Sequence, residues 1–421
     1  MIPILRSPFS FDFAPDRGAL AEITVGERRI ATEIYPAVRD AHWGTLPLAR
    51  QTWRMETSRD DRFHLEWMAC AIAGEREVVD FRLTITQAGD ELTYSLMFRA
   101  DVDFETCRTG FCVHHCPGEL AGMPVTVTHP DGSRTAGAFP SLISPHQPFF
   151  DIAALTHPLG THELTFTFDG EVFEMEDQRN WSDFSYKTYP RPLSRPFPYV
   201  LVKGEEHVQT VTIRAKSLPN RRDRGDSRET VRSEHARRSV HPDISGYTLW
   251  SEADDTPKSV ARAAEALTAA DPALIVWLIG DPADRLSALA PYRDRIQAVA
   301  ITEYRRYDDR LDPLRALIPD VKLLAASASN FTELNRNRPS PAWDGVAFAV
   351  SPVVHQVHVD AVTATQFSWQ AQVDTARSWG FADVHLGPIF VPPGYPDFEM
   401  AAESAADRCT ATTASVWRVS E

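Results

Sequence analysis

Long hydrophobic runs are missing from this chain. No apolar stretch approaches the roughly eighteen residues a bilayer-crossing helix needs, so no membrane partner is expected. Cysteine is scarce: Cys70, Cys107, Cys112, Cys116 and Cys409 are the five in 421 residues. An odd, thinly spread set reads as reduced thiols rather than a disulfide framework. The opening MIPILRSPFSFDFAPDRG has no basic segment followed by a sustained apolar one, so a cytoplasmic location is expected rather than a secretory leader. Positive charge is also short, with a formal net charge of -15. That argues against a nucleic-acid partner, because phosphate contacts need a basic face, and acidity of this kind serves solubility.

Several catalytic signatures are absent as well. Without a G-x-S-x-G elbow, the usual serine-hydrolase route has no anchor. Without G-x-x-x-x-G-K-[ST] or G-x-G-x-x-G, nucleotide phosphates have no glycine cradle, and no cofactor is expected. Cys112-Val113-His114-His115-Cys116 could supply soft metal ligands, yet the spacing is not that of a zinc knuckle and no second ligand pair stands out. We read these as strand-end residues and expect no metal site.

What the chain does contain is strand grammar in its first half. Two-residue alternation runs through 76–104, 122–132 and 162–176, with almost no helical periodicity, which predicts a β-sandwich over residues 1–216. Asp169-Gly170 lies between two alternating runs and predicts a hairpin. Beyond it, Phe173 and Met175 alternate with Glu174 and Glu176, so one strand face is apolar and the other carries carboxylates. The stretch EMEDQRNWSDFSYKTY (174–189) then mixes charges with aromatic rings. Rings that stack on C–H faces, beside groups that bind hydroxyls, suit a polyol ligand. The other reading is a docking loop with Arg179 and Glu176 as a buried pair, and the two are compatible.

Residues 217–243 are charged, mostly basic and nearly free of apolar groups, as expected of a linker or surface loop. From 244 to 421 the pattern changes. Short buried-strand runs at 246–251, 273–280, 296–304, 321–329, 345–352 and 382–390 are mostly separated by helical stretches such as 256–270 and 362–380. Strand alternating with helix predicts parallel βα units, and six of them make an incomplete (β/α) TIM-type barrel. The fold class expected is therefore multidomain: a β-sandwich followed by an α/β barrel. A barrel left open has an exposed flank that a second copy of the chain would cover, which makes a homo-oligomer conceivable.

In such barrels reactive groups sit where strands end. That rule selects Thr302, Glu303 and Tyr304, then Asn330, Thr332, Glu333, Asn335 and Arg336, then His355 and His358. Carboxylates, imidazoles and a guanidinium around one mouth suit hydrolysis by a positioned water. Each residue taken singly could equally be a helix cap or a surface ion pair.

Six stretches resemble signatures of the D-apionate lactonase family: FEMEDQRNWSDFSYKTYPRPL, RTGFCV, HPDGS, FPSLISPHQPFFDI, NFTELNRNRP and SPVVHQVHVD. They fall in both halves of the chain. The resemblance implies a β-sandwich joined to a TIM-type barrel that opens D-apionolactone to D-apionate, a carboxylic ester hydrolase of sugar-acid catabolism. Two strands of the family barrel are not legible here. Placing chemistry on the matching positions, Glu333 or His355 would be general base, Arg336 or Asn330 would hold the oxyanion, and Glu303 would protonate the leaving ring oxygen. Glu176, Asp177, Arg179, Asn180, Trp181 and Lys187, with Asn335, would bind the polyol. A glycoside hydrolase using Glu303 and Glu333, or a binding protein that has lost its chemistry, are the alternatives.

Overall fold

The computed structural model describes residues 1–57, 62–218, 243–244, 247–251, 255–268, 274–352, 359–389 and 417–418. The charged segment expected to link the two halves lies almost wholly outside them, as do His355 and His358. The described residues form two compact units. The first takes Met1–Ser141, His146–Asp177 and the chain from Ser185. The second takes Leu142–Pro145, Gln178–Phe184 and the second half of the chain. Two short stretches of the first half thus belong to the second unit.

The first unit is built from β1 (Ile2–Arg6), β2 (Phe9–Ala14), β3 (Ala19–Val25), β4 (Arg28–Asp40), β5 (Leu48–Thr57), β6 (Phe63–Ala73), β7 (Arg76–Ala88), β8 (Glu91–Ala100) and β9 (Phe104–His115). It continues through β10 (Pro124–Thr128), β11 (Arg134–Ala138), β12 (Phe149–Ile152), β13 (Ala154–Leu159), β14 (His162–Asp169), β15 (Phe173–Asp177), β16 (Tyr186–Pro190), β17 (Tyr199–Leu201) and β18 (Glu206–Ser217). One nine-stranded sheet runs β1-β2-β3-β4-β9-β16-β15-β12, with β17 added beside β9; the other runs β11-β10-β13-β14-β18-β8-β7-β6-β5. Alternation explains the layering: in β8, Leu92, Tyr94, Leu96 and Phe98 are buried while the residues between them are not. Their side chains join Phe111, Val113, Phe173 and Met175 from the other sheet in one core, which is the expected β-sandwich.

The expected hairpin at Asp169-Gly170 is not one. β14 pairs with β13 and β18, whereas β15 pairs with β12 and β16, so this turn carries the chain from one sheet to the other. Glycine is required there for two reasons. Gly170 has φ +88, and a Cβ would lie 1.9 Å from the carbonyl oxygen of Val208.

In the second unit, β19 (Asp243–Ile244), β20 (Tyr247–Ser251), β21 (Leu274–Leu278), β22 (Ile296–Ile301), β23 (Lys322–Ser327), β24 (Gly345–Val350), β25 (Asp383–Ile389) and β26 (Trp417–Arg418) form an eight-stranded sheet. β20 through β25 pair in parallel in chain order, which recovers all six predicted βα strands. β26 and β19 add antiparallel at the β25 edge. Both faces of the parallel strands are apolar. Val276, Val299, Leu323 and Val346 pack in the larger cluster, and Trp277, Ala300, Leu324 and Ala347 form a separate one. Burial on both sides is why these strands read as continuous hydrophobic runs.

Candidate active site

Three neighbouring strand ends of the second unit are tied together by charged side chains. After β21, Asp281 accepts from Tyr307 Oη at 2.8 Å and pairs with Arg306 at 2.6 Å, both on helix Tyr304–Tyr307 beyond β22. The backbone N–H of Ala283 and the Tyr307 hydroxyl hold the Asp281 carboxyl below the usual carboxylate range. Arg305, on the same short helix, pairs with Glu333 at 3.3 Å in the first turn of helix Phe331–Arg336, which follows β23. Tyr304 is buried and donates from its hydroxyl to the carbonyl of Asn337 at 2.6 Å; burial pushes that hydroxyl above its usual range. Glu303 occupies the N-cap position of helix Tyr304–Tyr307 without a side-chain cap bond and is exposed. Glu333 and Arg305 keep 42% and 63% of their side-chain surface, so both are open to water and to a substrate.

The predicted residues of helix Phe331–Arg336 separate by role. Asn330 is its N-cap residue, without a side-chain cap bond. Asn335 is buried and donates to the carbonyl of Ile143 at 3.2 Å and to Asn180 Oδ1 at 2.9 Å, while Asn180 donates to the carbonyl of Ser144 at 2.6 Å. These two amides satisfy irregular backbone that has no sheet or helix partner, a structural duty. Arg336 is exposed, donates from Nε to the carbonyl of Pro145 at 3.0 Å, and stands over the Trp181 ring at 5.5 Å. Arg179 is buried, with Nη2 3.5 Å from the carbonyl of Leu142, and its own carbonyl accepts from Gln372 at 2.7 Å.

Glu176, Asp177 and Lys187 belong to the first unit. Glu176 and Lys187 face one another across β15 and β16 and pair at 3.3 Å, largely buried. The strand register sets this cross-strand pair directly. Around it on the same sheet face lie Tyr189, Glu174, Arg108, Cys112 and His114, residues the sequence reading treated in separate stretches and did not bring together. Glu174 accepts from Tyr189 Oη at 2.5 Å, and His114 lies 3.3 Å from Ser185 Oγ and 3.4 Å from Tyr35 Oη. The hint of their common face in the sequence was the alternation that sends Glu174 and Glu176 away from the core. Within the Cys112–Cys116 run His115 points into the core and His114 away from it, and among the described residues no group of three or more His, Cys, Asp or Glu is placed to hold a metal ion.

The described residues define a two-domain protein, a β-sandwich followed by a parallel βα sheet with carboxylates at its strand ends. The chain belongs to the D-apionate lactonase family: the N-terminal domain model of that family matches residues 6–218 and its TIM barrel domain model matches residues 207–395. A D-apionate lactonase from Brucella anthropi is 36% identical over 200 residues, a stretch that is 47% of this chain and 32% of that protein. The chain thus spans about a third of that relative. Among solved structures, a galactose mutarotase related enzyme from Lactobacillus acidophilus is 12% identical at a TM-score of 0.30, covering 52% of this chain and 98% of that one. The α-N-acetylgalactosaminidase NagBb from Bifidobacterium bifidum is 9% identical at a TM-score of 0.32, covering 90% and 76%. Likenesses this faint carry no argument about chemistry. Among the described residues no helix is long and apolar enough to cross a membrane.

Proposed function

We propose that the protein hydrolyses a sugar-acid lactone, with D-apionolactone as substrate and D-apionate as product. The observation that carries this reading is the match of both family domains in order along the chain, joined to the strand-end carboxylate of Glu333. In the proposed reaction Glu333 takes a proton from a water that attacks the lactone carbonyl. Arg305, 3.3 Å from Glu333, is placed to stabilise the developing oxyanion once the substrate displaces that ion pair. The proton that Glu333 takes up then passes to the departing ring oxygen. Arg336 and Trp181 offer a cation and a ring face to the hydroxylated portion. The hydroxy acid formed then ionises near neutral pH, so each turnover releases one proton.

Proton release in a pH-stat, with D-apionolactone beside common aldonolactones, tests the reading directly. Turnover of the branched lactone, reduced roughly a hundredfold to ten-thousandfold by Glu333→Gln, is the expected result. Full turnover in Glu333→Gln would remove Glu333 as base. Ligand-induced thermal stabilisation without turnover on any lactone would leave a sugar-acid-binding protein instead.

A further inference from the structure

We propose that Arg108 anchors a binding site for the carboxylate of a small polyhydroxy acid, on the outward face of β9 and β16 in the first unit. Arg108 is 6% exposed. Its guanidinium lies over the Tyr189 ring, 3.7 Å from the centroid, and 5.2 Å from that of Trp43. Among the described residues no carboxylate pairs with it, and Nε is buried without a hydrogen-bond partner. Aromatic faces attract a cation but do not accept its in-plane N–H groups. A buried charge is tolerated when it is paired and hydrogen-bonded, and this one is neither.

The neighbouring carboxylates are already engaged. Glu174 accepts from Tyr189 Oη at 2.5 Å and from the backbone N–H of Leu193 at 2.9 Å, and Glu176 pairs with Lys187 at 3.3 Å. The unfilled requirement is an anion from outside, and the planar fork of a guanidinium matches the two oxygens of a carboxylate. Charge sets the class further. Both glutamates sit on β15, beyond β16, and repel a doubly charged phosphate about twice as strongly as a single carboxylate. The rim is aromatic and open: Trp43 is 39% exposed, Phe197 is 46% exposed, and their rings meet edge to face at 5.4 Å. Gln147 reaches the Tyr189 hydroxyl at 3.3 Å. Ring faces for C–H groups and an amide for hydroxyls complete the recognition of a hydroxylated acid.

The motif that holds Arg108 has its own local reason. In Arg108-Thr109-Gly110-Phe111, a Cβ on Gly110 would lie 2.0 Å from Gln209 Oε1, the atom that accepts from the backbone N–H of Phe111. The glycine therefore serves the core, and the arginine has no such duty. The inference is one of binding in the first unit and stands apart from lactone hydrolysis.

Calorimetric titration of the full chain at low ionic strength, with sodium D-gluconate, sodium glycolate, D-glucitol and inorganic phosphate, tests it. Expected are gluconate binding, at least tenfold weaker binding of neutral glucitol and of phosphate, and at least a tenfold loss in Arg108→Met. Arg108→Lys keeps the charge without the fork and falls between. Ligand-free Arg108→Met should melt at or above the wild-type temperature, because it removes an uncompensated buried cation. Neither acid binding to folded wild type, or equal binding to Arg108→Met, would overturn the site. Tighter phosphate binding would overturn the carboxylate assignment. A lowered melting temperature in Arg108→Met with unchanged binding would make Arg108 a structural pillar.

Discussion

His115 and His157 lie inside the sandwich core of the first unit, where their rings meet that of Phe166 at 4.8 Å and 6.1 Å. His115 has Thr188 Oγ1 3.0 Å from Nε2, and His157 has a carbonyl 3.3 Å from Nδ1. Burial, then the neighbouring imidazoles, lowers His115 from 6.5 to about 3, and burial lowers His157 to about 4. The unfolded chain therefore binds protons on both residues before the folded one does. Stability is full above pH 6.5 and is lost as pH falls toward 3 to 4, at up to ~1.4 kcal/mol per pH unit for each imidazole. Urea midpoints should drop between pH 7 and pH 5, and His157→Phe should flatten that drop by about half of its size. An unchanged acid limb in the variant would show that other groups govern it. In the sequence His114 and His115 read as strand-end residues or ligands, because an adjacent pair of histidines looks alike whichever strand face each takes. Only the partner sheet decides which of them is dry.

Among elements, the turn at Asp169-Gly170 shows where local grammar misleads. The dipeptide and its flanking alternation are those of a hairpin, and the strand faces were read correctly: Phe173 and Met175 enter the core while Glu174 and Glu176 leave it. The choice of partner strand is not local. β18, some forty residues onward, takes the place beside β14 that a hairpin would have given β15. Gly170→Ala should then cost on the order of 3 kcal/mol, combining positive-φ strain with displacement of Val208 backbone, measured by denaturant unfolding. A hairpin tip open to solvent would lose far less. Arg305→Ala is the contrasting case. Its pair with Glu333 is well exposed, so stability should change by less than about 1 kcal/mol while lactone turnover falls.

For the whole molecule, the six parallel strands were legible because burial on both faces leaves little but apolar residues to spell them. The candidate site was approached only by rule, since strand ends mark where to look: Glu333 was singled out, whereas its ion-pair partner Arg305 and the Asp281 cluster were not, surface charges being alike in sequence until a fold sets them side by side. The division of the chain was legible only in part. The mixed charges and rings of 174–189 suggested a docking loop, but nothing marked 142–145; both 142–145 and 178–184 pack with helices Phe331–Arg336 and Val359–Ser378, through Ile143 N–H to Thr375 Oγ1 at 3.0 Å and Phe184 to Phe367 at 5.3 Å. Residues 244–421 expressed alone should therefore unfold without a cooperative transition or at a markedly lower temperature than in the full chain. Identical melting of that half in isolation would show the two segments to be dispensable.

The same arrangement has a consequence for biosynthesis. The ribosome delivers Leu142–Pro145 and Gln178–Phe184 long before the helices that receive them. While the nascent chain lengthens, the Ile143 N–H and Asn180 Oδ1 wait for Thr375 and Asn335, which are made much later. Completion of this packing waits for helix Val359–Ser378, which is made near the end of synthesis. Such a waiting period favours nascent-chain chaperones and slow translation through the second half, and it exposes the chain to aggregation when synthesis outpaces folding.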